Sequence, residues 1–170
     1  MLEEPQILAA PSLRKIALAT GIAPSAVYTR FASGDELLQA VIDRQNQELR
    51  EQIRKAAASG SNPIEQLESV VVRYVEWGIS HPGAYQLLFE SADKMPDGVV
   101  ARGPGVLLLE ELAELVSQVS NATEEQSKRI TLRIWAALHG IASLRIHKKW
   151  APWTSTYQDE AIATIHAFLK

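Results

Sequence analysis

Four histidines, at positions 81, 139, 147 and 166, are the side chains of this 170-residue sequence best suited to acid–base chemistry or metal binding. No two of them have the His-x3-His spacing that places two ligands on one helical face, so the sequence predicts no metal site. The chain has no cysteine, which excludes disulfides, zinc–thiolate sites and thiol catalysis. It also has no nucleophile elbow and no glycine loop for phosphate. We therefore expect no enzyme activity, no metal and no cofactor.

Aromatic residues accompany one of these histidines at helical spacing. His139 follows Trp135 by four residues, so the two side chains share one face of a helix. Such a histidine can be a core residue that bonds to a carbonyl, or a polar group that faces a ligand in an aromatic pocket. The second interpretation predicts a ligand site formed by Tyr74, Trp77, Tyr85, Phe89, Trp135 and His139. Taken alone, each of these aromatic side chains is better explained as core.

A second group of chemically useful residues lies near the start of the chain, at positions 12–31. This stretch carries Arg14, Lys15 and Arg30 and no acidic residue, although the whole chain has a net charge of −3. Basic side chains without neighbouring acids are what contact with nucleic-acid phosphates requires. Because the overall charge argues against non-specific coating of nucleic acid, we expect site-specific contact.

The same stretch has the local signals of two short helices joined by a tight turn. Ser12 can cap the first helix through its hydroxyl, and Gly21 can take the positive φ that follows a helix end. Pro24 suits the first position of a second helix, which we expect to run to Arg30. Two such helices are typical of the helix-turn-helix. On spacing alone, a helical hairpin inside an all-α core is an equally good interpretation.

The run LRKIALATGIAPSAVYTRFASGDELLQAV, at positions 13–41, resembles the DNA-binding segment of the TetR family of bacterial regulators. The resemblance covers the two helices and their turn, the Tyr28-x-x-Phe31 ending and the Asp35-Glu36-Leu37-Leu38 start of the next helix. It implies that the second helix enters the DNA major groove. The DNA-binding residues that it implies are Ser12, Arg14, Pro24, Ser25, Ala26, Tyr28, Thr29 and Arg30.

The chain departs from the family pattern at two places. Gly34 stands where the family usually has a lysine that lies near a phosphate. Only eleven residues precede Ser12, where the family usually has a complete amphipathic helix. We therefore expect the first helix of the DNA-binding head to be truncated.

Cap signals locate the helices that must position these residues. Ser33 and Glu36 form a predicted capping box that opens a helix reaching about Ala58. Further helix starts are predicted at Asn62-Pro63, at the box Thr123 to Gln126 and at the box Ser155 to Gln158. No segment alternates like a strand, so the sequence predicts an all-α fold. We expect residues 1–58 to form the DNA-binding head with its connecting helix, and residues 59–170 to form a ligand-sensing and dimerisation domain.

Two segments of the second predicted domain, HPGAYQLLF at 81–89 and WAALHG at 135–140, resemble the WHG ligand-sensing domain of the same regulators. Between them, the run Ser91 to Gly105 has the prolines and glycines of a long loop. The small residues Ala136, Gly140 and Ser143 predict close approach of another helix, which could belong to the same chain or to a partner chain.

The sequence thus predicts a homodimeric transcriptional regulator, a repressor that binds operator DNA and is released by a small apolar or aromatic ligand. The resemblance implies that the dimer forms through the last two helices. The absence of a secretion signal and of a membrane-length apolar run makes the cytoplasm the expected location. The alternative is a dimeric ligand-binding protein whose DNA-binding head is non-functional because its first helix is missing.

Overall fold

A computed structural model of the protein describes residues 12–91, 104–120 and 122–169. Within these ranges all regular structure is helical, which confirms the predicted all-α class. The predicted truncation of the first helix, at residues 1–11, and most of the predicted loop from Ser91 to Gly105 lie outside the described residues. None of the helices described is long and apolar enough to span a bilayer.

The described chain forms eight α-helices and one π-helical segment. They are α1 (Leu13–Thr20), α2 (Pro24–Tyr28), α3 (Gly34–Ala57), α4 (Pro63–Ser80), α5 (Pro82–Tyr85), the π-helical segment (Gln86–Glu90), α6 (Pro104–Val119), α7 (Glu124–His147) and α8 (Tyr157–Phe168). The predicted loop ended at Gly105, which implied a helix from Val106. The helix α6 begins two residues earlier, at Pro104.

Most of the predicted caps are present. The predicted box at Thr123 is confirmed, because Thr123 and Gln126 satisfy each other's backbone amides. Ser33 accepts from the amide of Glu36, but the Glu36 carboxylate accepts from the amide of Ala32, one residue earlier than a capping box requires. The chain turns sharply before α3, which leaves the Ala32 amide free for that carboxylate.

The box predicted at Ser155 is wrong. Thr156 caps α8 by accepting from the amide of Asp159 at 3.1 Å. The Ser155 hydroxyl instead donates to the Glu160 carboxylate at 2.8 Å, and the helix begins one residue later than the predicted box requires.

Apolar packing divides into two clusters that share the long helix α3. The small cluster joins Leu13 and Ala17 of α1 to Val27 of α2, with two partly buried neighbours, Phe31 and Leu37. The large cluster contains the buried apolar residues from Ile42 to the end of α8. Leu37 packs in the first cluster and its neighbour Leu38 against the second. The helix α3 therefore connects the two clusters directly.

The helix α4 lies at the centre of the large cluster, with α3, α6, α7 and α8 packed around it. Gly78 is the residue that allows its closest contact. A Cβ atom there would lie 2.7 Å from Cδ2 of the Tyr85 ring and 3.4 Å from Cβ of Ala142 on α7. The Tyr85 side chain is completely buried in this notch. The turn from α4 into α5 thus folds back so that Tyr85 lies between α4 and α7.

We expect G78A to lower the free energy of unfolding by about 1–3 kcal/mol, because the added methyl group must displace a buried ring. The matched control is G83A, at a helical position where a Cβ would meet no atom within 4 Å. That change should be neutral or stabilise the fold by less than about 1 kcal/mol. Chemical denaturation of both variants measures the difference. Equal stability of the two would contradict the close packing of Tyr85 on Gly78.

Candidate nucleic-acid interface and ligand cavity

All eight residues predicted to bind DNA have exposed side chains in the structure: Ser12, Arg14, Pro24, Ser25, Ala26, Tyr28, Thr29 and Arg30. Leu13 of α1 and Val27 of α2 lie among them in the sequence and are buried in the small apolar cluster. The Tyr28 side chain is 56% exposed, which is high for an aromatic residue. The fold therefore brings the predicted DNA-binding residues together on the surface of one small unit.

Local hydrogen bonds hold this surface in shape. Gly21 has φ +69°, as its place after α1 predicts, and its amide donates to the Ala17 carbonyl. The helix α2 ends at Tyr28 rather than at Arg30, because the Arg30 amide donates to the Val27 carbonyl, three residues back, and not to a carbonyl four residues back. This turn directs Phe31 to the cluster and leaves Arg30 exposed.

Two hydroxyl groups on this surface are partly used within the chain. Thr29 Oγ1 donates to the Ala26 carbonyl at 2.8 Å, so it is left with acceptor capacity and an exposed methyl group. Ser12 Oγ accepts from the Lys15 amide at 3.4 Å, which leaves its proton free to donate. The ion pairs found in the described part of the chain include none from residues 12–31. Among the described residues, Arg14 and Arg30 therefore have no ion-pair partner.

Five of the six residues predicted to bind a ligand form one continuous aromatic cluster. Tyr74, Tyr85 and Phe89 have ring centroids 5.1–6.2 Å apart, and His139 contacts Tyr85, Phe89 and Trp135 at 5.4–6.3 Å. Trp77 lies apart from the cluster and stacks on His81 at 5.2 Å.

A cavity of about 30 Å³ lies beside this cluster, and it is large enough for a single water-sized group. Its lining comprises Ile53, Val70, Tyr74, Phe89, Leu108, Leu109 and Trp135. Three of the predicted ligand residues therefore line the cavity, while Tyr85, His139 and Trp77 do not. The buried Tyr74 hydroxyl has no hydrogen-bond partner among the described residues. Burial raises the pKa of Tyr74 to about 12, so this hydroxyl keeps its proton.

Tyr85 and His139 form a polar pair inside the aromatic cluster. Tyr85 Oη lies 2.6 Å from His139 Nδ1 and 3.3 Å from the His139 carbonyl oxygen. Burial lowers the pKa of His139, although the nearby Glu90 carboxylate opposes this, and burial raises the pKa of Tyr85. Both side chains are therefore neutral near pH 7. The sequence left open whether His139 bonds to a carbonyl or faces a ligand, and the structure shows a third arrangement, a bond to a tyrosine.

Glu90 is a polar residue of this region that the sequence did not single out. Its Oε1 accepts from the Ser143 hydroxyl at 2.6 Å, and its Oε2 lies 3.1 Å from His147 Nε2. Burial alone would raise the pKa of Glu90, but the bonds from Ser143 and His147 outweigh it and lower the pKa. The sequence signal for this cluster was the spacing of Ser143 and His147, which are four residues apart and therefore share one face of α7. Ser143 is thus bound within its own chain, while a Cβ at Gly140 would meet no atom within 4 Å.

Comparison with known families gives a match over more than half of the chain. The family model for the tetracyclin repressor-like C-terminal domain matches residues 67–168. The match includes both segments in which the sequence resembles the WHG domain. No curated protein matches the chain by sequence.

Solved structures resemble the fold over nearly the whole chain. A protein of unknown function from Rhodococcus sp. RHA1 has a TM-score of 0.76 at 19% identity and covers 94% of this chain and 83% of its own. A TetR-like transcriptional regulator from the same organism has a TM-score of 0.69 at 20% identity, covering 93% and 81%. The TetR family regulator PfmR from Thermus thermophilus has a TM-score of 0.67 at 15% identity, covering 94% and 88%. At these identities the likeness establishes the fold.

We expect Y85F to lower the free energy of unfolding by about 1–3 kcal/mol, because it leaves the half-buried His139 Nδ1 without its partner. The same deletion at Tyr74, Y74F, removes a hydroxyl that has no partner among the described residues. It should therefore be neutral or slightly stabilising. Denaturant titrations of the two variants provide the comparison, and a larger destabilisation by Y74F than by Y85F would show that the polar pair does not stabilise the core.

Proposed function

Because the chain belongs to the TetR family of transcriptional regulators, we propose that it is an operator-binding repressor that a small apolar or aromatic ligand releases from DNA. The observation that supports this most directly is the common exposure of the eight predicted DNA-binding residues around one small apolar cluster. A helical hairpin inside an all-α core, the alternative that spacing alone left open, would instead have these positions packed against the rest of the fold.

On DNA, α2 would lie in the major groove and each side chain would act according to its chemistry. Ser25, Ala26 and Thr29 are short enough to meet base edges, and the free methyl group of Thr29 suits the methyl group of thymine. Tyr28 and Arg30 would bind phosphates, which fix the position of the protein without reading the sequence. Ser12, Arg14 and Pro24 would contact the backbone at the edge of the same surface.

We propose that the functional unit is a homodimer formed through α7 and α8. The helix α7 carries Leu132 and Leu144, which are 52% and 50% exposed, and the open position Gly140 lies one turn before Leu144. Exposed leucines beside open space on one helix are typical of a surface that another helix covers. Two copies would then present their α2 helices to successive major grooves, about 34 Å apart.

The ligand class follows from the lining of the cavity. Its walls are apolar and aromatic, and among the described lining residues the only titratable group is the neutral Tyr74. A charged ligand would lose its hydration there without gaining a partner, so the ligand should be uncharged and able to bond to the Tyr74 hydroxyl. Since the cavity holds only about 30 Å³, a ligand must stabilise an arrangement with its walls further apart. The ligand would act on DNA binding through that difference in affinity.

DNA binding is tested by R14Q and R30Q, which each remove one charge from the proposed phosphate-binding surface. Each variant should bind operator DNA more weakly, and the slope of log affinity against log salt should fall by about 0.9 for each phosphate that is no longer neutralised. The control is R44Q, which removes an exposed charge from the middle of α3, outside both the proposed DNA-binding residues and the proposed dimer contact. Gel retardation or fluorescence anisotropy over a salt series measures the slopes, and an unchanged slope for both head variants would remove these arginines from the interface.

The dimer is tested by L144E, which places a charge on the proposed contact surface. We expect the variant to sediment as a monomer at micromolar concentration where the wild-type chain sediments as a dimer, because a buried unpaired carboxylate is costly. The control V106E changes a side chain that is similarly exposed, at 51%, but lies on α6. Monomeric wild-type protein, or a dimer that L144E leaves intact, would contradict the proposed contact.

A further inference from the structure

One carboxylate of α6 binds two arginines of the connecting helix α3. Glu111 Oε1 accepts from Arg50 Nη2 at 2.7 Å and from Arg54 Nη2 at 2.8 Å. The two arginines are four residues apart, so they project from the same face of α3. Burial alone would raise the pKa of Glu111, but the hydrogen bonds from both arginines outweigh it and lower the pKa. The carboxylate therefore stays charged, with about 29% of its side chain exposed.

The same two stretches of chain also line the cavity. Ile53 lies between the two arginines in the sequence and contributes to the cavity wall from α3. Leu108 and Leu109 contribute from α6, within one turn of Glu111. The other lining residues belong to α4, α7 and the π-helical segment. The ion pairs and the cavity thus lie side by side, at the place where α3 meets α6.

The contact between α3 and α6 is small. The helix α3 packs far more extensively against α4 than against α6, so the two ion pairs are a large part of what joins α3 to α6. By contrast, α4 packs closely against α6 and α7, and α6 against α7. The contact between α3 and α6 is thus among the smallest between the cavity walls, so these two walls can separate with little disruption of packing.

We propose that Glu111 is the positioning residue that couples the cavity to the DNA-binding head, by holding α3 through Arg50 and Arg54. A ligand too large for the cavity separates α6 from α3, and this separation breaks both ion pairs. The helix α3, which is still packed on α4, can then tilt about that contact, and its first turn carries Leu37 of the small apolar cluster with it. The proposal rests on the ligand-responsive DNA binding proposed above, and it assigns the regulation of that site to one side chain.

The test compares E111Q with E110Q, which makes the same chemical change at the adjacent, exposed residue. Because the natural chain has no cysteine, A19C on α1 and S80C at the end of α4 accept nitroxide labels at two chosen exposed positions. Labelled protein is mixed with a large excess of unlabelled wild-type chain, so that the measured spin–spin distance is within one chain. We expect E111Q to shift or broaden the distance distribution and E110Q to reproduce the wild type.

Operator binding provides the second measurement. We expect E111Q to weaken it by about fivefold or more, within the range of ordinary allosteric couplings, and E110Q to leave it unchanged. R54Q removes one of the two ion pairs and should have a smaller effect in the same direction. The double variant E111Q/R54Q should bind no more weakly than E111Q alone, because the interaction that both changes remove is the same.

The outcomes separate this proposal from the proposed function. If no chain binds DNA, operator binding fails as a function, while the distance distributions still decide whether Glu111 holds the head. If all chains bind DNA alike and E111Q leaves the distances unchanged, the proposal is overturned. Thermal unfolding of each variant checks that the chain is folded. Should E111Q not fold, R54Q decides by the same two measurements, because its side chain is 64% exposed and its removal is mild for the fold.

Discussion

The ring of Tyr85 packs directly against the α-carbon of Gly78, and this contact decides how the helices of the large cluster are arranged. A Cβ at Gly78 would lie 2.7 Å from the Tyr85 ring, so any side chain there would force that ring to move. Because the contact is made, the Tyr85 hydroxyl reaches His139 on α7, and the π-helical segment brings Phe89 to the aromatic cluster. One missing side chain thus sets the position of the aromatic residues beside the cavity.

The helix α3 carries this arrangement to the other end of the molecule. Leu37 and Leu38 are adjacent in the sequence, yet one packs against the small cluster and the other against the large one. A rotation or tilt of α3 must therefore change both packings, because no flexible linker lies between them. The exposed residues of α2 depend on the small cluster for their positions, so the orientation of α3 determines where the proposed DNA-binding surface lies.

The parts of the structure that were predicted correctly depend on local signals. Ser12, Gly21 and Thr123 act within a single turn of helix, and the sequence located them. Partners distant in the chain could not be found in this way: Tyr85 and His139 are 54 residues apart, and Arg50 and Glu111 are 61 apart. The cap at Thr156 was missed by one residue, and Ser155, where it was predicted, bonds instead to Glu160, a residue beyond the box. The sequence could name the aromatic candidates but could not tell which of them line the cavity.

Selection of DNA from a pool of random duplexes tests operator binding most directly, because it requires no knowledge of the target sequence. The full chain is incubated with the pool, bound duplexes are amplified, and the cycle is repeated. We predict enrichment of an inverted repeat whose two half-sites lie one helical turn, about 34 Å, or a multiple of it apart, since a two-fold dimer reads the same bases twice. A pool that stays random after repeated cycles would contradict sequence-specific DNA binding by this protein.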